Sequence, residues 1–252
     1  MKKKKILILG GSCGLGYEFA KIFLKSKHTV TISSSNSKNL AKAKNNLKKI
    51  SPYINSFKCD LKKTSSLIKF LSYLRNEKKN LDCVILSSGQ GIVGSPKDIK
   101  ENILNSYIKA FTISYIKVIN CLISNNQHIP KIIYISSYVA HFCPKKLSVY
   151  GFVKKSVDQF LRILSAENFA KIMIVYPGSL KTKFDSKTIN FQKPKISYFN
   201  KKSSSKVVAL KVIENFRKGE DFYYSSSIMR YLIYFKGFAE NILNKTLKLI
   251  YQ

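Results

Sequence analysis

Lys5-Ile6-Leu7-Ile8-Leu9-Gly10-Gly11-Ser12-Cys13-Gly14-Leu15-Gly16 is the stretch from which the fold of this chain is read. Residues 5–9 read as a short buried strand, 10–16 as a turn, and 17–25 as a helix with Phe19, Ala20, Phe23 and Leu24 on one face. Glycine permits a tight turn and lets the backbone approach a pyrophosphate. The exposed N–H groups and the dipole of the following helix favour an anion there. The strand before and the helix after supply the context that a dinucleotide site requires. Taken alone, the glycines also fit a plain tight turn.

The pattern repeats along the chain. Residues 28–33, 54–59, 81–87, 131–136 and 171–176 read as strands, and 38–50, 64–76, 98–124 and 148–168 as the helical stretches between them. Continuously apolar strands alternating with helices predict a parallel sheet covered on both faces, a three-layer doubly wound α/β fold. Beyond it, 179–203 reads as a loop, 203–217 as a helix and 221–225 as a last edge strand. Residues 228–251 read as a basic helix with many large apolar groups. The chain therefore divides into one unit over 1–225 and a helical extension over 226–252.

With 252 residues, 45% of them apolar, a sizeable core is available. The formal net charge is +32, yet only four of the 45 cations are Arg (Arg75, Arg162, Arg217, Arg230), the residue that phosphate readers favour for its bidentate fork. Compositional drift with general solvation is one reading, and a preference for anionic partners (acidic lipid, a phosphorylated substrate, nucleic acid) is the other. No nucleic-acid motif is present, which disfavours the last of these. Five cysteines without CxxC spacing point to a reducing compartment, and against a disulfide framework or a zinc site. Only four apolar residues follow the opening Met1-Lys2-Lys3-Lys4-Lys5, too few for a secretory signal. No apolar run is long enough to span a membrane. A cytoplasmic location is expected. For the last helix, with Arg230, Lys236, Lys245 and Lys248 among its apolar residues, packing on its own domain, contact with a second subunit in a homo-oligomer, and a peripheral position on an anionic membrane all stay open.

Two further segments carry chemistry. After the second strand, Ser33-Ser34-Ser35-Asn36-Ser37-Lys38 holds no carboxylate to bind a ribose 2′-hydroxyl, and its hydroxyls with Lys38 suit a 2′-phosphate; this favours NADP(H) over NAD(H). Tyr150 and Lys154 lie four apart at the start of a helix and so share a face. A free phenol is a poor base at neutral pH, and a nearby cation lowers its pKa into a useful range. Ser136 and Ser137 end a strand, and in a parallel sheet the strand C-termini and helix N-termini meet along one edge.

These motifs, in this order, resemble the short-chain dehydrogenase/reductase family over roughly residues 5–225, which implies a Rossmann-type domain. Gly10, Gly14 and Gly16 match the glycines of TGxxxGxG, with Leu9 where threonine is usual. Ser137, Tyr150 and Lys154 match the Ser…YxxxK triad, and Asp82 through Gly89 match the segment ending in NNAG, with Leu86-Ser87-Ser88 in place of NNA. Cys59-Asp60-Leu61 resembles the adenine-contacting segment, and Pro177-Gly178-Ser179-Leu180-Lys181-Thr182 the PGxxxT segment on the nicotinamide. The resemblance implies an oxidoreductase moving hydride between NADP(H) and a small carbonyl or alcohol substrate. Tyr150 would be its general acid/base. Lys154 would lower the Tyr150 pKa and bind the ribose, and Ser137 would bind the substrate oxygen. Cofactor contacts are implied at Gly10, Ser12, Cys13, Gly14, Leu15, Gly16, Ser34, Ser35, Asp60, Leu61, Ser88, Gly89, Tyr150, Lys154, Pro177, Gly178, Leu180 and Thr182. The family's helix asparagine falls by spacing at Ser106, and Asn105 matches only with a one-residue slip. These departures keep a second reading open, a cofactor-binding sensor or scaffold with weakened chemistry. Cys13 reads as a small turn filler; His28, His128 and His141 are scattered, and a place for His141 at the substrate pocket, just beyond the serine strand, is the lesser of its two readings.

Overall fold

Ile6, Leu7, Ile8 and Leu9 are all at most 2% exposed, and alternate side chains enter different cores. Ile6 and Ile8 join one apolar cluster, Leu7 and Leu9 another, so the strand is covered on both faces. Burying each of these side chains contributes about 1.5–3 kcal/mol.

A computed structural model describes residues 2–124, 128–142, 144–182, 184–191 and 202–237. The strands are β1 (Lys5–Leu9), β2 (Thr29–Ser34), β3 (Ile54–Lys58), β4 (Cys83–Leu86), β5 (Ile92–Val93), β6 (Lys131–Ile135), β7 (Ile172–Tyr176), β8 (Ile189–Asn190) and β9 (Phe222–Tyr224). Between them run α1 (Gly14–Lys25), α2 (Ser37–Lys48), α3 (Thr64–Glu77), α4 (Glu101–Ile108), α5 (Ser114–Ile123), α6 (Ser148–Ala166) and α7 (Ser205–Lys218). Seven strands form one sheet in the order β3-β2-β1-β4-β6-β7-β9. All its pairings are parallel, with Ile8 of β1 facing Ile32 on one side and Ile85 on the other. Phe19 of α1, Leu40 of α2 and Val208 of α7 fill one face. Phe70 of α3, Val118 of α5 and Leu161 of α6 fill the other. The three-layer expectation holds. Strand order reverses between β1 and β4, and ligands of open α/β sheets bind in the crevice beyond such a switch point.

Three details differ from the sequence reading. Helix α1 starts at Gly14 rather than at Tyr17, because Gly16 lets its first turn lie directly on the Gly10 carbonyl: a Cβ at Gly16 would sit 2.3 Å from that oxygen. The long helix of 98–124 is interrupted by a π-helical segment, Lys109–Ile113, between α4 and α5. The stretch read as a loop contains β8, which pairs in parallel with β5 to form a separate two-stranded ribbon. Strands of two residues have no period to detect. The predicted last helix is present over 227–237; its remainder lies outside the described residues. Among the described residues no helix is long and apolar enough to cross a membrane, no group of His, Cys, Asp or Glu is arranged to hold a metal, and Cys13, Cys59, Cys83 and Cys121 are free thiols.

Candidate active site

The crevice starts where β1 ends. Gly10 has φ +92, and a Cβ there would lie 2.6 Å from the Ser88 backbone, so only glycine lets the turn and the segment after β4 touch. The Gly10 and Gly11 N–H groups both donate to the Ser33 carbonyl at 3.0 Å, fastening the turn to β2. Cys13 is the N-cap of α1. Its side chain makes no cap bond, and the first turn holds no acidic residue. The positive end of the α1 dipole is therefore left without a protein carboxylate, as an incoming phosphate requires. Lys187 adds a cation at this point, its Nζ lying 3.5 Å from the Cys13 Sγ.

At the end of β2, the Ser12 hydroxyl donates to the Ser34 hydroxyl at 2.9 Å. Asn36 is committed elsewhere, its side chain accepting the Asn39 N–H at 2.9 Å to cap α2. Ser35 and Lys38 are exposed beside them. After β3, Asp60 accepts the Lys62 N–H at 3.0 Å, and Leu61 is buried with its carbonyl taking the Ser114 hydroxyl at 3.0 Å. After β4, the Tyr115 hydroxyl donates to the Ser88 carbonyl and the Tyr107 hydroxyl to the Gln90 carbonyl, clamping the segment that carries Gly89.

Ser137, Tyr150 and Lys154 come from the end of β6 and the start of α6. The Ser137 hydroxyl accepts the Val139 N–H at 3.3 Å. Lys154 is buried, its Nζ donating to the Ile135 carbonyl at 2.8 Å and standing 5.2 Å from the Tyr134 ring centroid. Burial lowers the Lys154 pKa to about 8 against a raising influence from Asp158. Tyr150 is half-buried among Val93, Val139 and Leu147, with the Phe184 ring 6.1 Å away. That desolvation raises its pKa to about 12, and the neighbouring Ser137 hydroxyl pulls it back down. The sequence reading expected Lys154 to lower the phenol; here the dominant influence is burial, which acts in the opposite direction. Beside Lys154 lies a cavity of about 10 Å³, room for a single water, lined by Ser88, Gly89, Tyr107, Tyr115 and Tyr134 among others.

The segment after β7 closes the other side. Gly178 has φ +65, and a Cβ there would meet the Ser225 hydroxyl at 2.9 Å. Leu180 bridges to Ser203. Thr182 reaches back over the turn, its Cγ2 lying 3.5 Å from where a Gly14 Cβ would be. The glycine turn, Ser88–Gly89, Ser137, Tyr150, Lys154 and Pro177–Thr182 thus lie along one edge of the sheet.

The structure adds residues that the sequence reading missed. Asp158, fully buried, accepts from the Ser136 hydroxyl at 3.2 Å, from the Tyr176 hydroxyl at 2.5 Å and from Arg162 Nε at 2.7 Å, while Arg162 also donates to the Tyr176 hydroxyl at 2.8 Å. A carboxylate at position 158, between the buried Val157 and Leu161 of an amphipathic helix, was the available signal. The tyrosines Tyr107 and Tyr115 had no such signal, because they read as core. Asn105 is exposed and Ser106 half-buried, and the side chains this helical region sends to the Lys154 cavity are Tyr107, Phe111 and Tyr115. His141 packs on Tyr176, with ring centroids 4.9 Å apart, rather than on Tyr150. Burial lowers its pKa to about 4.

Comparison with known proteins agrees with this architecture. A family model described as short chain dehydrogenase matches residues 4–193. An uncharacterized oxidoreductase of Schizosaccharomyces pombe is 26% identical over 207 residues, 79% of this chain and 68% of that one. A short-chain dehydrogenase from Sphingobium yanoikuyae, solved in complex with NADPH, superposes with a TM-score of 0.81 at 16% identity, covering 96% of this chain and 95% of that one. A short chain dehydrogenase/reductase from Burkholderia phymatum, solved in complex with NAD, superposes with a TM-score of 0.74 at 14% identity, covering 88% of each chain.

Proposed function

The chain belongs to the short chain dehydrogenase family, and from that premise we propose that it is an NADP(H)-dependent oxidoreductase of small carbonyl or alcohol substrates, with residues 1–225 as the catalytic unit. What supports this reading is Ser137 just after β6 and Tyr150 at the start of α6, on the same sheet edge as a glycine turn whose close backbone contacts leave no room for side chains. The relative solved with NADPH and the relative solved with NAD support a nicotinamide cofactor. The choice of NADP(H) rests on Ser34, Ser35 and Lys38, where an acidic residue would repel a 2′-phosphate.

When bound, the cofactor supplies or accepts hydride at the substrate carbon. Ser137 Oγ donates to the substrate oxygen and orients it. Tyr150 gives its proton to that oxygen on reduction and takes it back on oxidation. A phenol held neutral by burial is the correct form for the reductive direction. Lys154, one helical turn after Tyr150, would hold the ribose. Gly10 through Gly16 bind the pyrophosphate, with Ser12 and Cys13 in the turn. Asp60 and Leu61 would flank the adenine, Ser88 and Gly89 would back the ribose, and Pro177, Gly178, Leu180 and Thr182 would hold the carboxamide. The sensor or scaffold reading is not favoured. Tyr150→Phe is the test: NADPH binding, followed by its fluorescence, is expected to persist, while turnover on a carbonyl panel falls by about 10²–10⁴. Full activity of that variant on a substrate the wild type reduces would exclude the acid/base role.

A further inference from the structure

The helical segment 227–237 carries two apolar faces. Ser226 caps its start, with the Met229 N–H on the Ser226 hydroxyl at 3.4 Å. Met229 and Ile233, one turn apart, pack on the core beneath the sheet. Ile228, Tyr231, Leu232 and Phe235 follow the i, i+3, i+4, i+7 spacing of a second stripe, and they are 73%, 71%, 47% and 70% exposed. Isolated exposed apolar groups are ordinary, but a full helical stripe of them marks a surface that is covered in use.

The charge around the stripe selects the occupant. Residues 225–237 contain no acidic residue, and Lys236 borders the stripe, while Arg230 lies on the far side of the helix over the Tyr234 ring. Lys236 donates to the His141 carbonyl at 2.8 Å, which sets the end of the helix beside the segment bearing the exposed Lys145 and Lys146. The whole chain carries +32, so a second copy brings a strongly like-charged surface to any shared face. We propose that the Ile228–Tyr231–Leu232–Phe235 face lies on an anionic lipid surface, its apolar groups inserted at the headgroup boundary and the positive charge of the chain, with Lys145 and Lys146 beside the helix end, drawn to the lipid phosphates. The proposal is independent of the catalytic reading. It does bear on the site: Ser225 and Ser226 bond the Tyr138 hydroxyl, and Tyr138 follows Ser137, so lipid contact would be made next to the reaction site.

The test is co-sedimentation of the full chain with vesicles of phosphatidylglycerol and phosphatidylcholine, compared with phosphatidylcholine alone. Binding to the mixed vesicles only, weakened by added salt and by about tenfold or more in Ile228→Asp/Phe235→Asp, is the expected result. Both positions are exposed, and unchanged circular dichroism of the variant checks its fold. The chain has no Trp, so Tyr231→Trp gives a single reporter whose emission is expected to shift to the blue on the mixed vesicles. No binding, equal binding to neutral vesicles, unchanged binding by the double variant, or an unshifted Trp each overturns the proposal. So does a dimer seen by light scattering that the double variant splits, which would assign the face to a second copy.

Discussion

Asp158→Asn should show how much the buried polar network holds the site together. Asp158 is 0% exposed and accepts three hydrogen bonds, from Ser136, Tyr176 and Arg162. Substituting it leaves Arg162 without its carboxylate, and breaking a buried pair by removing one partner costs about 3–5 kcal/mol. The Arg162 side chain is 30% exposed and keeps some access to water, which places the expected loss at the lower end, about 3 kcal/mol. For a chain of this size that corresponds to a fall in Tm of roughly 6–12 °C. Thermal melts followed by circular dichroism at neutral pH measure it. Removing both charges in Asp158→Asn/Arg162→Met takes away the unpaired cation, so the double variant should be less damaged than the sum of the single ones. The network also joins three segments that carry candidate site residues: Ser136 precedes Ser137, Asp158 lies one turn after Lys154, and Tyr176 precedes Pro177. A drop in kcat at temperatures where the variant is still folded is therefore expected as well. A change in Tm under about 2 °C, or strictly additive single and double variants, would refute the idea that this buried pair acts as a unit.

Gly10→Ala places a Cβ 2.6 Å from the Ser88 backbone at φ +92; the dihedral alone costs about 1–3 kcal/mol, and titration calorimetry should find NADPH binding lost, so an unchanged Kd would count against the turn as the pyrophosphate site. Ser34→Asp puts a carboxylate at the end of β2 and should shift the ratio of kcat/KM values by about tenfold or more towards NADH; an unmoved ratio would remove these serines from cofactor selection. At the site, Lys154 and Tyr150 act on stability in opposite directions, on top of a decline above about pH 9 from the buried Cys59 and Cys83, whose thiols burial raises from 9.0 to about 12. Lys154, lowered on folding from 10.5 to about 8, costs stability while it is charged, so its own contribution to stability should rise as pH climbs from about 8 to 10.5. Tyr150, raised from 10.0 to about 12, keeps its proton longer folded than unfolded, so stability should decline above pH 10. The difference in urea midpoint between wild type and Lys154→Met across pH 7–11 isolates the Lys154 part; a difference that stays constant through that window would contradict the Lys154 assignment.

Local rules explain what was legible from residues alone. The run Ile6–Leu9 followed by glycines marks β1 and its turn because apolar runs and missing side chains act within a few residues. Tyr150 and Lys154 were paired because one helical turn brings any i, i+4 residues to one face. Spacing alone predicts a lowered Tyr150 pKa, and burial raises it. Spacing reports that a cation is near, but not that Val93, Val139, Leu147 and Phe184 exclude water from the phenol.

The amino-acid sequence by itself determined the alternation of strands and helices, the glycine turn, and the presence of Ser137, Tyr150 and Lys154 on one sheet edge, since each follows from short-range geometry repeated along a parallel sheet. Only the tertiary structure decided that Thr182 folds back over Gly14, that β5 pairs with β8, that Tyr107 and Tyr115 clamp the Ser88–Gln90 segment, and that Asp158 ties Ser136 to Tyr176. Those contacts join residues far apart in the chain, and their burial, not their spacing, sets the protonation of the groups they surround.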